Sequence, residues 1–233
     1  MISLELNNVS LTYPILGSTS KSLRSRIVKN LTGGIITSKN NNDIVHINAL
    51  RNINLKLNVG DKIGLVGHNG SGKTSMLKLM AGILEPTSGK LIRNGKISCL
   101  INPSAGLNPE ATGLENIYLR SYLLGMKQDE IMKKIDQIIE FADLGKFIDL
   151  PMRTYSSGMI SRLSYSISTA IDPDILLIDE GIGAGDANFT KKIKANTIKF
   201  LEKSKIIVFA SHNLNFLKEI GAKIIKLEKG EII

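Results

Sequence analysis

The chain has 233 residues, 42% of them hydrophobic, and a mean hydropathy near zero, the profile of a soluble globular protein long enough to bury a substantial core as one large domain or one domain with a small lobe. It contains no run of about 18 apolar residues, and Met1-Ile2-Ser3-Leu4-Glu5 lacks the charged and apolar regions of a secretory leader, which excludes a membrane span and places the chain in the cytoplasm. A formal charge of +9 suits nucleic acid, an anionic membrane leaflet or a merely Lys-rich surface, and the scarcity of aromatics, with no basic patch interleaved among them, weakens nucleic acid as a partner.

In chain order, Leu4, Leu6, Val9 and Leu11 predict a first strand that ends at Tyr13-Pro14. Tyr13 is either an amphipathic residue at a sheet edge or a flat face on which adenine stacks. Residues 15–48 interrupt the pattern with Gly, Ser, Thr and Asn, and carry Lys21, Arg24, Arg26, Lys29 and Lys39 with no acidic residue before Asp43. The segment is a solvated surface loop, or, because Leu23, Ile27, Val28 and Leu31 fall on one side of a helix, a short basic amphipathic helix that touches a membrane or a membrane partner. Leu50, Ile53, Leu55, Leu57 and Val59 then alternate as a half-buried strand does, and Gly60-Asp61 turns the chain into the next one.

Ile63, Leu65 and Val66 form that strand, Met76, Leu77, Leu79 and Met80 form a helix, and between them stands Gly67-His68-Asn69-Gly70-Ser71-Gly72-Lys73-Thr74. This fits G-x-x-x-x-G-K-[ST], a loop whose backbone N–H groups wrap a triphosphate while Lys73 reaches the β- and γ-phosphates and Thr74 holds Mg²⁺. The flanking strand and helix supply the context the motif needs, since the helix N-terminus must face the phosphates.

Pro86-Thr87-Ser88-Gly89 closes this region, and two short strands follow at Leu91-Ile92 and at Ile97 to Ile101. The lone Cys99 lies inside the second, where it reads as a small buried hydrophobe and leaves no internal disulfide. Residues 102–112 are an irregular Gly/Pro/Asn loop. Two helices are predicted over Glu115–Leu124 and Asp129–Ala142, the latter with Ile131, Ile135, Ile138, Ile139 and Ala142 at helical spacing and acids at its start. Tyr155-Ser156-Ser157-Gly158-Met159 precedes another helix, as a simple cap or as a second anion site. Ile175-Leu176-Leu177-Ile178 is a buried parallel strand that ends in Asp179-Glu180, two carboxylates that are costly together unless they bind a cation or activate water. Ile206 to Phe209 repeats the strand pattern and ends in Ser211-His212, and Ile224, Ile225, Leu227, a Lys229-Gly230 turn and Ile232-Ile233 finish the sheet.

The order of these motifs resembles the ATP-binding subunits of ABC transporters over nearly the whole chain. The resemblance implies an α/β fold of the P-loop NTPase, ABC ATPase type, with a mostly parallel core sheet, an antiparallel β lobe and a helical subdomain. It implies a single ABC ATPase domain over 1–233, with 15–48 as an insertion and about 102–170 as the Q-loop region and helical subdomain. Gly67 to Thr74 matches Walker A, Ile175 to Asp179 Walker B, Glu180 the catalytic carboxylate, His212 the switch histidine and Ala184-Gly185-Asp186 the D-loop. Tyr155 to Met159 looks like the signature LSGGQ and departs from it at three of five positions. The loop position where most relatives place a Mg²⁺-coordinating Gln holds Asn102-Pro103, so Asn102 stands in through its amide oxygen. By this resemblance the ligands are ATP and Mg²⁺, with Thr74, Asp179 and Asn102 at the metal. Tyr13, the loop, Asp186 and, from a second subunit, Ser156, Ser157 and Gly158 meet the nucleotide, and Glu180, His212 and Lys73 carry catalysis.

A narrower resemblance, to the ATP-binding subunits of O-antigen, capsule and teichoic acid exporters, rests on Asn108-Pro109-Glu110-Ala111-Thr112-Gly113-Leu114-Glu115-Asn116-Ile117, Tyr155 to Met159, Gly185-Asp186-Ala187-Asn188-Phe189 and the basic insertion. It implies a homodimer, an integral membrane permease as partner, no nucleic acid, a peripheral place at the cytoplasmic face of the inner membrane, and a short form without the C-terminal carbohydrate-binding domain of some members. An importer subunit, a nucleic-acid-linked ATPase of the same superfamily and a non-catalytic nucleotide-binding module are the alternatives.

Overall fold

A computed structural model of the chain describes residues 1–15, 35–37, 45–101, 104–179 and 200–233. The basic amphipathic segment, Asn102, Glu180 and Asp186 lie outside the described residues. The chain divides into two units: the described parts of Met1–Gly95, Leu177–Glu180 and Lys205–Ile233, and the described parts of Lys96–Leu176 and Gly181–Ser204.

The first unit contains an antiparallel sheet of order β2-β3-β1-β5, made of β1 (Ser3–Ile15), β2 (Ile35–Thr37), β3 (Val45–Asn58) and β5 (Ser88–Asn94). Leu4, Leu6, Val9 and Leu11 are all buried, although a strict period of two cannot put positions 6 and 9 on one face. The pairing of β1 with β3 shifts register between Leu6 and Val9, and Asn8 there takes φ 50°. This one-residue bulge rephases the strand so that its second half faces the same core as its first. Asn52 on β3 has φ 46°, and the Asn54 amide ties the two irregular positions together through the Asn8 side chain at 3.0 Å and the Asn52 carbonyl at 3.1 Å.

Two sequence expectations need correcting in this sheet. The first strand does not end at Tyr13-Pro14 but runs to Ile15. Beyond Ser10 its pairing among the described residues is with β3 alone, so Pro14 costs no ladder bond to a described strand on its other edge. Val59, read as the last inward residue of its strand, is 58% exposed in the turn after β3.

The second sheet has the order β10-β9-β4-β8-β7-β6, from β4 (Lys62–Val66), β6 (Ile97–Leu100), β7 (Ile175–Asp179), β8 (Ile206–Ala210), β9 (Lys223–Glu228) and β10 (Glu231–Ile232). Its axis is β4, parallel to β8 on one side and to β9 on the other. Ile63, Gly64 and Leu65 are buried. A Cβ on Gly64 would stand 2.8 Å from the Leu217 side chain, so glycine lets α5 (Leu214–Glu219) lie directly on β4. The helix α1 (Lys73–Met80) follows β4 and buries Met76, Leu77, Leu79 and Met80, the side chains that the sequence assigned to it.

The second unit packs α2 (Gly113–Leu123), α3 (Gln128–Ala142) and α4 (Ser157–Thr169) around a core that includes Ile117, Ile138, Leu144, Met152, Leu163 and Ile167. Short 3-10 turns over Gly145–Asp149 and Met152–Thr154 join α3 to α4. Thr112 and Glu115 form a reciprocal capping box at the start of α2. One turn further, the fully buried Asn116 organises the irregular loop. Its Nδ2 donates to the carbonyls of Asn108, Ala111 and Thr112, and its Oδ1 accepts the Asn108 N–H at 2.7 Å. The far side of the same loop accepts the N–H groups of Met152 and Arg153 through Ala111 and Pro109. Among the described residues no helix is long and apolar enough to cross a membrane.

Replacing Asn116 by Ala orphans the Asn108 N–H, whereas the carbonyls of Asn108, Ala111 and Thr112 keep the N–H groups of Ala111, Met152 and residue 116. The expected cost is about 1–3 kcal/mol, that of one orphaned group, less whatever water regains. Urea denaturation of Asn116→Ala measures it, and a midpoint unchanged from wild type would mean that the loop is held by other means.

Candidate functional site

The loop Gly67 to Thr74 runs from the C-terminal end of β4 to the start of α1, and the positions of its glycines are dictated by close approach. A Cβ on Gly67 would collide with the Leu227 carbonyl oxygen and the Ser71 hydroxyl. Gly70 and Gly72 take φ 79° and 110°, a region costly for residues with a Cβ, and a Cβ on Gly72 would stand 2.8 Å from the Ala49 carbonyl oxygen. The backbone can therefore wind tightly into the α1 N-terminus, the end of a helix at which N–H groups bind anions.

Lys73 Nζ donates to the carbonyls of Gly67 at 2.6 Å and His68 at 3.2 Å. The ammonium is thus folded across the loop it belongs to. His68 Nδ1 lies 2.8 Å from the Asn69 carbonyl, which makes Nδ1 the protonated ring nitrogen, since a carbonyl only accepts. The Ser71 side chain is 1% exposed, and its hydroxyl has no hydrogen-bond partner among the described residues.

Thr74 and Asp179, 105 positions apart, are joined by a 2.8 Å hydrogen bond from the threonine hydroxyl to the carboxylate. Asp179 closes β7 after four buried apolar residues, so the sheet delivers one carboxylate to the first turn of α1. Hydroxyl and carboxylate oxygens are the hard donors that Mg²⁺ prefers. Together with the glycine-enforced cradle and the orphaned Ser71 hydroxyl, this donor set fits a Mg²⁺-bound triphosphate.

His212 follows Ser211, whose N–H donates to the Leu65 carbonyl at the end of β4. The parallel pairing of β4 with β8 therefore brings the exposed His212 to the sheet edge from which the phosphate loop departs. Tyr13 reaches α1, its hydroxyl donating to Ser75 Oγ at 3.3 Å, so this tyrosine belongs to the surroundings of the loop. Cys99, expected to be a buried hydrophobe, is half-buried.

In the second unit, Ser156 caps α4 by accepting the Met159 N–H at 3.2 Å. Ser156 and Ser157 are exposed, and a Cβ on Gly158 would meet nothing nearer than the Ser156 hydroxyl at 3.8 Å. These three residues form an open helix N-terminus. Tyr155, at the head of the segment, is buried and donates to the Phe147 carbonyl at 2.5 Å. Burial pushes its hydroxyl above the ordinary tyrosine range, Asp149 adds to this and a backbone hydrogen bond from Gly113 opposes it, so the group stays a proton donor. Gly113 is glycine because a Cβ there would strike that hydroxyl.

Sequence reasoning missed the support behind the loop. The β9–β10 turn, read only as the end of the sheet, donates its Gly230 N–H to the Ser71 carbonyl at 3.0 Å and accepts the Arg51 N–H through the Gly230 carbonyl at 2.8 Å. Arg51 pairs with Glu231 at 3.2 Å. The signal was Gly230 itself, whose missing Cβ leaves room for the Ala49 carbonyl.

Residues 50–183 match the ABC transporter family. Over 232 residues, all of this chain and 97% of that protein, the sequence is 44% identical to the O-antigen export system ATP-binding protein RfbE of Yersinia enterocolitica. It is 38% identical to the teichoic acids export ATP-binding protein TagH of Staphylococcus haemolyticus, covering 99% of this chain and 83% of that one. Among solved structures, the dimeric post-hydrolysis state of the ATP-binding cassette MJ0796 bound to ADP and Pi superposes with a TM-score of 0.69 at 25% identity, over 98% of this chain and 96% of the other. Full-length similarity to such proteins, and a loop built for a triphosphate beside a hydroxyl–carboxylate pair, lead to one conclusion: the chain belongs to the ABC transporter family and is an ATP-hydrolysing subunit of the α/β P-loop type.

Proposed function

We propose that this subunit powers export of a lipid-linked polysaccharide, working as a homodimer docked on an integral membrane permease at the cytoplasmic face of the inner membrane. Two supports carry the direction and cargo: relatives named for O-antigen export and for teichoic acid export, aligned end to end with this chain. The ATPase chemistry rests on the Thr74–Asp179 hydrogen bond. The whole of 1–233 serves as one ATPase domain, with 102–170 as the part that answers to the permease. An apolar groove of the second unit, lined by Leu107, Pro109, Met152, Tyr155 and Ile160, suits a helical segment of that partner.

Little covalent chemistry is required to move a phosphoryl group to water, so the residues act by position and charge. Lys73 exchanges its two loop carbonyls for the β- and γ-phosphate oxygens, while the amides from Asn69 to Thr74 hold the remaining charge. Thr74 and, through water, Asp179 hold Mg²⁺, with Asn102 as a further oxygen donor. The bound cation neutralises charge developing on the phosphate oxygens. Glu180 polarises the attacking water, His212 contacts the γ-phosphate and keeps the attack in line, and Tyr13 offers its ring to the adenine. Asp186 meets the nucleotide, and Ser156, Ser157 and Gly158 serve that of the other copy, so that two ATP molecules lie in a head-to-tail, two-fold dimer.

Two substitutions and one deletion test these assignments. Thr74→Val keeps the volume and removes the hydroxyl. It should raise the Mg²⁺ concentration for half-maximal ATPase activity about tenfold or more, the effect of losing one oxygen ligand of the cation at roughly 1.4 kcal/mol per tenfold. An unchanged Mg²⁺ titration would remove Thr74 from the metal. Glu180→Gln should bind ATP normally, turn over about a hundredfold slower, in line with the loss of a general base, and accumulate as an ATP-bound dimer in size-exclusion chromatography. Normal turnover would take the base role from Glu180. Deleting residues 20–32 should spare the ATPase activity of the isolated subunit and impair polysaccharide export in cells, whereas a deletion that abolishes folding would make the segment structural.

A further inference from the structure

Arg120, on α2, is the one charged side chain among the buried described residues, with 4% exposure. Its hydrogen-bond acceptors are neutral: Nη1 donates to the Ala105 carbonyl, Nη2 donates to the Ser168 hydroxyl on α4 at 3.2 Å, and Nε has no partner. Burial lowers its pKa to about 10, and it remains a cation at any physiological pH. A Met of similar length would fill the same space without desolvating a charge, and such replacements of buried ions are often neutral or stabilising. Packing alone does not account for the guanidinium.

The hydrogen bonds continue from Arg120 along a single face of α4. Ser168 Oγ donates to the Ser164 carbonyl at 2.7 Å, Ser164 Oγ donates to the Ile160 carbonyl at 2.5 Å, and the Ile160 N–H donates to the Ser156 carbonyl at 3.0 Å. Residues 156, 160, 164 and 168 are successive members of an i, i+4 stripe. The irregular loop rests on that stripe twice, through Ala105 on Arg120 and through Ser104 Oγ, 3.5 Å from Ser164 Oγ.

We propose that Arg120 is a positioning residue of the ATPase: it clamps Ser104-Ala105 to the α4 stripe, so that the loop and the Ser156-Ser157-Gly158 end of α4 move as one body when they meet the partner's nucleotide. The proposal rests on the reading that those three residues complete the site of a second copy.

The test uses the full chain with Arg120→Met, Arg120→Lys and, as reference, Ser156→Ala. Arg120→Met keeps a melting temperature at or above that of wild type and binds ATP within twofold in isothermal titration. Its kcat falls at least tenfold with KM changed less than twofold, and Arg120→Lys recovers part of the rate. Mixed with Lys73→Ala subunits, Arg120→Met subunits regain activity, because the hybrid dimer pairs an intact loop from one copy with an intact stripe from the other. Wild-type kcat in Arg120→Met overturns the proposal, as does a rate loss that follows a fall in melting temperature and is not relieved by Arg120→Lys. Should Arg120→Met fail to fold, Ser168→Ala removes the acceptor on α4, together with the hydroxyl's bond to the Ser164 carbonyl, and leaves Arg120 in place; a lower kcat at unchanged melting temperature supports the clamp, and full kcat overturns it. If Ser156→Ala subunits do not regain activity with Lys73→Ala, the shared-site reading falls and takes the clamp with it. If they do while Arg120→Met subunits do not, only the clamp falls.

Discussion

The site depends first on a hydrogen bond between the Thr74 hydroxyl and the Asp179 carboxylate. Its two ends are set by different means. Thr74 is fixed because the loop before it can turn only with glycine at positions 67, 70 and 72, where carbonyl oxygens and positive φ angles exclude a side chain. Asp179 is fixed because four buried apolar residues anchor β7 and leave the carboxylate at the strand's end. Between them, β4 carries the registration of the unit, held by β8 and β9 and by the seat that Gly64 gives to Leu217. The loop is backed in turn by the β9–β10 turn, where the Ser71 carbonyl meets the Gly230 N–H. The loop also makes contacts with itself, notably those of Lys73, and in the proposed ATPase these are the ones that Lys73 would exchange for phosphate oxygens.

The second unit solves a different problem. Leu107 and Ala111 give its irregular loop only a small apolar anchor, and polar side chains from α2 add to it. Asn116 satisfies four backbone groups at one end of the loop, and Arg120 reaches the other. The segment leading into Ser156 is bound to the same loop through Met152 and Arg153. In this way hydrogen bonds that trace back to one helix, α2, help position the N-terminus of α4, beside the bond of Tyr155 to the Phe147 carbonyl.

Much of this was legible in the residues. Glycine spacing in the phosphate loop, apolar runs before Asp179 and Ser211, and helical spacing from Ile131 to Ala142 each express a steric or burial requirement that leaves few other readings. The bulges at Asn8 and Asn52 were not legible, because the eye takes Leu4, Leu6, Val9 and Leu11 as alternation and overlooks the inserted residue. Arg120 was missed for a related reason: an arginine on an amphipathic helix is normally solvated, and only the fold puts this one in the interior. Asn116 served in sequence as part of a family likeness, whereas its physical reason, a single amide saturating a loop, needed coordinates. Gly230 lies more than 150 residues from the loop it supports; the glycine itself signals a close backbone approach, but nothing local names what approaches.

In the proposed homodimer each chain holds half of each ATP site. The helix N-terminus at Ser156, Ser157 and Gly158 is exposed and sterically open, as a surface that meets a second copy must be, and the phosphate loop supplies the other half. The most direct measurement is the specific ATPase activity of the isolated chain across a dilution series, with the oligomeric state followed by sedimentation at the same concentrations. Activity per subunit should fall in step with the dimer fraction and vanish in the monomer. Constant activity per subunit in a chain that sediments as a monomer would contradict a shared site.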